Sequence, residues 1–167
     1  MPAKIRKMFF GIPSKTFLPI GADLYRFLSP LQPTATDLLV ADRFFTGNYV
    51  ISDCFLDRDT FIAIPRYARE SGLTVAQVAQ PALGVRPEWN PTMSEFGWVK
   101  LQRPVYGFKG ACNRKPYNPE LRSGGLDQIW IPNLTAEIAQ PMGRTKVENL
   151  TPNPQPFAPN ASKLRTP

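Results

Sequence analysis

The sequence predicts an α+β domain of short strands, short helices and many turns, from three observations. Nineteen of the 167 residues are proline, roughly twice ordinary usage, and each interior proline deletes a helix hydrogen bond and clashes with the preceding turn. Hydrophobic residues make up 43% of the chain, enough for a core in one domain of this length. The apolar runs are short and bounded by turn residues, which is the pattern of strands joined by tight connections.

Taken in order, the start MPAKIRKMFFGIP places Lys4, Arg6 and Lys7 ahead of an apolar segment that Gly11 and Pro13 cut too short for a signal peptide. Residues 1–16 are expected to be a basic arm, 17–150 the domain and 151–167 a tail. Asp23 to Leu28 (DLYRFL) lies between the turn signals Pro19-Ile20-Gly21 and Ser29-Pro30 and reads as an early strand. Leu31 to Thr36 reads as a proline-interrupted loop and Asp37 to Ala41 as an apolar run. Tyr49 to Ile64 holds the strand-like runs YVIS and FIAI.

Pro65 suits the first turn of a helix that Gly72 closes, and Thr74 the N-cap of a short helix, VAQVAQ, that Pro81 stops. Phe96 to Gln102 and Val105 to Ala111 read as strands separated by Pro104, kinked or at an edge. The loop from Asn113 to Gly125 feeds a short strand, Gln128 to Ile131, and Leu134 to Gln140 has the length of one or two helical turns. The end, TPNPQPFAPNASKLRTP, offers almost nothing to bury.

Composition excludes several chemistries. The chain has no histidine, which removes Ser-His-Asp and Cys-His nucleophile pairs, His-containing zinc sites and an imidazole acid–base group. Two cysteines, Cys54 and Cys112, are too few for a disulfide framework and read as half-buried thiols. No apolar run approaches the ~20 residues needed to span a bilayer, so a soluble protein is expected. The formal charge of +7 is spread along the chain and is compatible with a solvated basic surface, phosphates, nucleic acid or an acidic protein partner.

Three local motifs have plainer structural readings. PRYARESGLTVAQVAQP has the small, turn and apolar positions of a helix-turn-helix. Pro81 leaves its second helix too short to read a major groove, which favours two packing helices; nucleic acid therefore has no supporting motif. Asp42 reads as a turn or cap residue, since metal-assisted chemistry needs further converging carboxylates, and no metal is expected. The glycine pair Gly124-Gly125 precedes a strand, unlike the phosphate loops that open helices.

What remains is an ordered set: Leu18-Pro19-Ile20-Gly21-Ala22-Asp23-Leu24-Tyr25-Arg26, then Pro87-Glu88-Trp89-Asn90, then WVKLQRPVYGFKGA read as a strand pair, then RSGGLDQIWIP. In this order the chain resembles the ADP-ribosyltransferase superfamily, and within it the NAD-cleaving C-terminal toxin domains of bacterial polymorphic and tuberculosis-necrotizing-toxin type. The likeness runs from Leu18 to Pro132, about two thirds of the chain.

The resemblance implies two small, strongly bent sheets framing a cleft, flanked by short helices, with NAD as substrate. It implies that Arg26 grips the diphosphate through its planar fork and that Gln128 bonds the ribose hydroxyl as charge develops on the ring. Tyr25, beside Arg26, joins the NAD-contacting residues. No single residue stands at the family's middle element: Phe44-Phe45 or Tyr49 offers a ring for nicotinamide, and Arg43 or Arg66 a second phosphate ligand. Glutamine cannot take a proton, which tilts the expectation toward hydrolysis over transfer. The resemblance further implies a secreted or delivered effector with a cognate immunity protein, for which the +7 charge suits an acidic surface. The competing expectation is a structural subunit of a large assembly, a phage particle or ribonucleoprotein, whose neighbours hold the proline-rich tail.

Overall fold

The computed structural model describes residues 1, 3–30, 54–87, 90–114, 125–135 and 137–149. A short helix, α1 (Ala3–Arg6), precedes β1 (Ser14–Leu18) and β2 (Asp23–Leu28). Among the described residues there follow helices α2 (Arg58–Glu70) and α3 (Val75–Leu83), and then β3 (Glu95–Leu101), β4 (Val105–Ala111), β5 (Asp127–Trp130) and β6 (Ala139–Lys146). The fold is α+β, as expected, with two antiparallel three-stranded sheets in the orders β1-β4-β5 and β2-β3-β6. The first strand already begins at Ser14, inside the stretch read as an arm. The loop and runs expected between Leu31 and Asp53, and the tail, lie outside the described residues.

Proline and glycine turns distribute the strands between sheets. After β1, Ala22 N–H donates to Pro19 O at 3.3 Å and Gly21 takes φ 80°, a conformation that favours glycine. β2 therefore starts in the other sheet. The turn around Pro104 does the same between β3 and β4, which correctly read as strands but do not pair with each other. β3 is central in one sheet and β4 in the other, so neither is the edge strand that Pro104 suggested; the proline lies in the turn between them, where no ladder N–H is required.

Among the described residues, Phe55 and Leu56 join the sheets. Tyr25 and Leu56 exchange backbone hydrogen bonds of 2.9 and 2.8 Å, and Phe55 and Ile129 exchange two of 2.8 Å. Phe55 and Leu56 thus connect β2 to β5, and strand alternation can be followed across the junction. One face carries Leu24, Phe55, Val99, Leu101 and Ile129, which form a core with Leu18, Ile131, Leu134 and Ile138. The other carries Tyr25, Phe27, Leu56, Phe96 and Trp98, and the helices pack there through Phe61, Ile64, Ala68, Val78, Ala79 and Ala82. Tyr25 stacks on Phe61 with centroids 4.7 Å apart at 7°, an arrangement worth about 0.5–1.5 kcal/mol beyond its burial.

The helices correct two sequence readings. FIAI is helical, not a strand, and Pro65 lies inside α2. Asp57 caps the helix, its Oδ1 accepting from Thr60 N–H at 2.9 Å, while Phe61, Ile64 and Ala68 recur at three- and four-residue spacing on the buried face. That face outweighs the bond Pro65 forfeits. Pro81 likewise does not stop α3. Thr74 and Gln77 form a reciprocal capping box (Gln77 N–H to Thr74 Oγ1, 3.2 Å; Thr74 N–H to Gln77 Oε1, 2.8 Å), and the helix runs to Gly84 at φ 62°. The two helices pack against the sheet and each other, as the packing reading required.

The third correction is β6. Ile138 and Ala139 N–H both donate to Thr135 O at 2.9 Å, and the chain then enters a strand where helical turns were expected. Most of β6 is exposed, so it carries no apolar alternation to read.

Candidate functional site

Of the residues singled out for NAD chemistry, Tyr25, Arg26 and Gln128 stand at or next to the junction, and the strands direct their side chains differently. Arg26 is half-buried on β2, next to the bridging Tyr25, and alternation aligns it with Leu24 on the core face that also bears Phe55 and Ile129. Gln128 precedes the bridging Ile129 on β5 and so projects to the opposite face. There it is 7% exposed and its Nε2 donates to Met8 O at 2.8 Å. Its strand partner Gly110 has Phe9 and Pro13 over the position a Cβ would take. The structure brings Arg26 and Gln128 to one junction and sends their side chains to opposite faces of the joined sheets.

Tyr25 belongs to the helix-covered face, between Phe61 and Phe96. Burial raises its phenol pKa, the Asp23 carboxylate adds to this, and Arg58 opposes it. Arg66 lies exposed on α2, paired with Glu70 at 3.1 Å. Arg43, Phe44, Phe45 and Tyr49 are outside the described residues, as are Glu88 and Trp89. Asn90, the last residue of the EWN segment, accepts from Ser29 Oγ at 2.5 Å and donates to Phe27 O at 2.9 Å. Gln80 donates to its carbonyl at 3.0 Å, so Asn90 ties the end of β2 to α3.

Gly125 has a packing role. A Cβ there would collide with Ala82 O and lie 2.5 Å from Cys112 Sγ. Cys112 is fully buried, contrary to the half-buried expectation, and its thiol donates to Ala82 O at 2.9 Å. Burial pushes that thiol up to about 12, so it is not a thiolate nucleophile at neutral pH. Cys54 is half-buried, and both cysteines are unbridged.

Sequence reading missed two charged groups, Lys109 beside the junction and Arg144 at the far edge of the β2-β3-β6 sheet. Lys109 Nζ lies 2.6 Å from Asp57 Oδ2. Arg144, on β6, pairs with Glu95 and donates from Nη2 to Ser29 O at 2.5 Å. The register aligns Arg26, Gly97 and Arg144 across β2, β3 and β6, putting both arginines on one face of the sheet with a glycine between them. Recognising β6 as a strand was the only route to this alignment from sequence. Among the described residues no helix is long and apolar enough to cross a membrane, and no group of three or more His, Cys, Asp or Glu could hold a metal ion.

No family model and no curated protein matches the chain. Two solved structures are similar in part. Rhs1-CT in complex with cognate immunity protein RhsI1 is 16% identical, with a TM-score of 0.48 over 80% of this chain and 80% of that one. Tne2 in complex with Tni2 is 13% identical, with a TM-score of 0.45 over 83% of this chain and 96% of that one.

Proposed function

We propose that the chain is an NAD-cleaving toxin or effector domain acting by hydrolysis in preference to ADP-ribosyl transfer. The observation that carries the reading is the position of Arg26. It stands one residue from the backbone bridge joining the sheets, opposite a residue without a side chain, where a planar cation can reach a diphosphate.

Cleavage of the bond between nicotinamide and ribose releases a neutral leaving group through an oxocarbenium-like ribose. It calls for a cationic hold on the diphosphate, a partner for the ribose hydroxyls and a dry slot for nicotinamide. None of these needs histidine. In this reading Arg26 supplies the diphosphate contact. The resemblance puts the Gln128 amide at the ribose, but its side chain bonds Met8 O on the face opposite Arg26, so the ribose contact is left to another group. Water is the favoured acceptor because an amide cannot act as a base. A cognate immunity protein with an acidic surface is the proposed partner of the +7 domain.

The test is release of free nicotinamide from NAD by the purified protein, folded and free of any inhibitor. The reading expects turnover; its absence contradicts the reading. Labelled NAD with a cell extract then separates hydrolysis, which leaves free ADP-ribose, from transfer, which labels a macromolecule.

A further inference from the structure

We propose that Arg144 is the second phosphate ligand of the chain, forming with Arg26 a paired-arginine cradle for a diphosphate across Gly97. This deepens the NAD reading and rests on it for the identity of the natural ligand. Arg26 pairs in register with Gly97, and Gly97 with Arg144. Side chains at consecutive register positions share a face, and neighbouring strands lie about 4.8 Å apart, so the outer two backbones are about 10 Å apart. The central position is a glycine, which adds no side chain of its own between the two arginines.

Arg144 is held in place for such a role. Its Nε bonds Glu95, in the neighbouring row of the same face, and its Nη2 donates to Ser29 O at 2.5 Å. A guanidinium has five N–H donors, and among the described residues these bonds engage two. The proposal assigns the other donors to phosphate oxygens, in an orientation that Glu95 and Ser29 already fix, which lowers the entropy lost on binding. Glu95 offsets part of the Arg144 charge, and Lys146, in register with Glu95, is exposed and paired with Glu148 at 3.3 Å. Arg66, the alternative second ligand, is exposed on α2 in a pair with Glu70.

The experiment is calorimetric titration of the full chain with inorganic pyrophosphate and with ADP-ribose, alongside Arg26→Gln, Arg144→Gln, Arg144→Lys and, as a charge control in the other sheet, Lys15→Gln. Arg144→Gln and Arg26→Gln are each expected to weaken both probes by about 10-fold or more, the loss of a charge-assisted hydrogen bond. Lys15→Gln should change them by less than about twofold, an exposed and screened charge. Arg144 also pins β6, so melting is measured in parallel. Should Arg144→Gln unfold, Arg144→Lys keeps the charge and removes the fork, and binding weakened at retained melting temperature supports the cradle. Wild-type affinity in a folded Arg144 variant overturns it, as does failure of the wild type to bind pyrophosphate. Nicotinamide release by the same proteins separates the two claims. Turnover with a KM for NAD unchanged by Arg144→Gln removes the cradle and leaves the NAD reading, whereas pyrophosphate binding without turnover does the reverse.

Discussion

Asp57 and Lys109 fasten the start of α2 to the central strand of the β1-β4-β5 sheet, Nζ lying 2.6 Å from Oδ2. The other carboxylate oxygen of Asp57 accepts from Thr60 N–H at 2.9 Å. One side chain thus caps a helix and ties it to the sheet beside the Phe55-Leu56 junction.

Burial raises the Asp57 pKa, but the bonds from Lys109 and Thr60 outweigh it and leave the carboxyl below its ordinary value. Lys109 is raised, since the Asp57 partnership outweighs its own burial. A depressed folded carboxyl contributes stability that is present above the ordinary carboxylate value, about 4, and lost as pH falls through the folded value. The lysine's share is present below its ordinary value and lost as pH rises through its raised one. Asp57→Asn keeps a good N-cap residue and removes the charge. It should destabilise the domain by about 1–3 kcal/mol at pH 7, with the deficit shrinking below about pH 4. Urea unfolding at pH 7 and pH 3 checks this; an equal deficit at both pH values contradicts it.

Gln128→Met keeps the side-chain volume and deletes the donor to Met8 O. The carbonyl retains Asn113 N–H at 2.7 Å, so the stability loss should be an ordinary hydrogen bond's, about 1 kcal/mol. With its side chain on the face away from Arg26, Gln128→Met should leave nicotinamide release unchanged beyond that loss; a fall on the order of 10²-fold would place the amide at the ribose. A lowered melting temperature with full turnover would make Gln128 only the anchor of the N-terminal segment.

Gly125→Ala drives a methyl into Ala82 O, which already accepts from Leu126 N–H and the Cys112 thiol at 2.9 Å each. The substitution should destabilise by roughly 3 kcal/mol or more. At Gly72, φ 66° with open space around it, alanine should lose only about 1 kcal/mol. Comparable melting of the two variants would contradict the packing described.

Much of the fold was legible where local signals agreed. DLYRFL sits between a glycine turn and Ser-Pro and is β2; Thr74 caps α3; the run after Pro104 is β4. FIAI misled because four apolar residues fit either period, and Asp57, the residue that decides for helix, reads equally well as a turn. Pro81 misled because a buried helix face overrides the loss of one bond. β6 is an edge strand without alternation, so neither it nor the Arg26–Gly97–Arg144 row could be foreseen. Arg26 was marked by its motif, but the face on which Gln128 emerges depends on the Phe55–Ile129 bridge, a long-range pairing with no local signature.

The most direct test of the central claim is the rate of nicotinamide release from NAD by wild type and by Arg26→Ala, each shown to be folded by its melting curve. The account predicts turnover by wild type and a loss on the order of 10²-fold or more in the variant, with no inflection near pH 6.5 in the wild-type profile because the chain has no histidine. Equal rates in the two proteins, or no turnover in either, would contradict it.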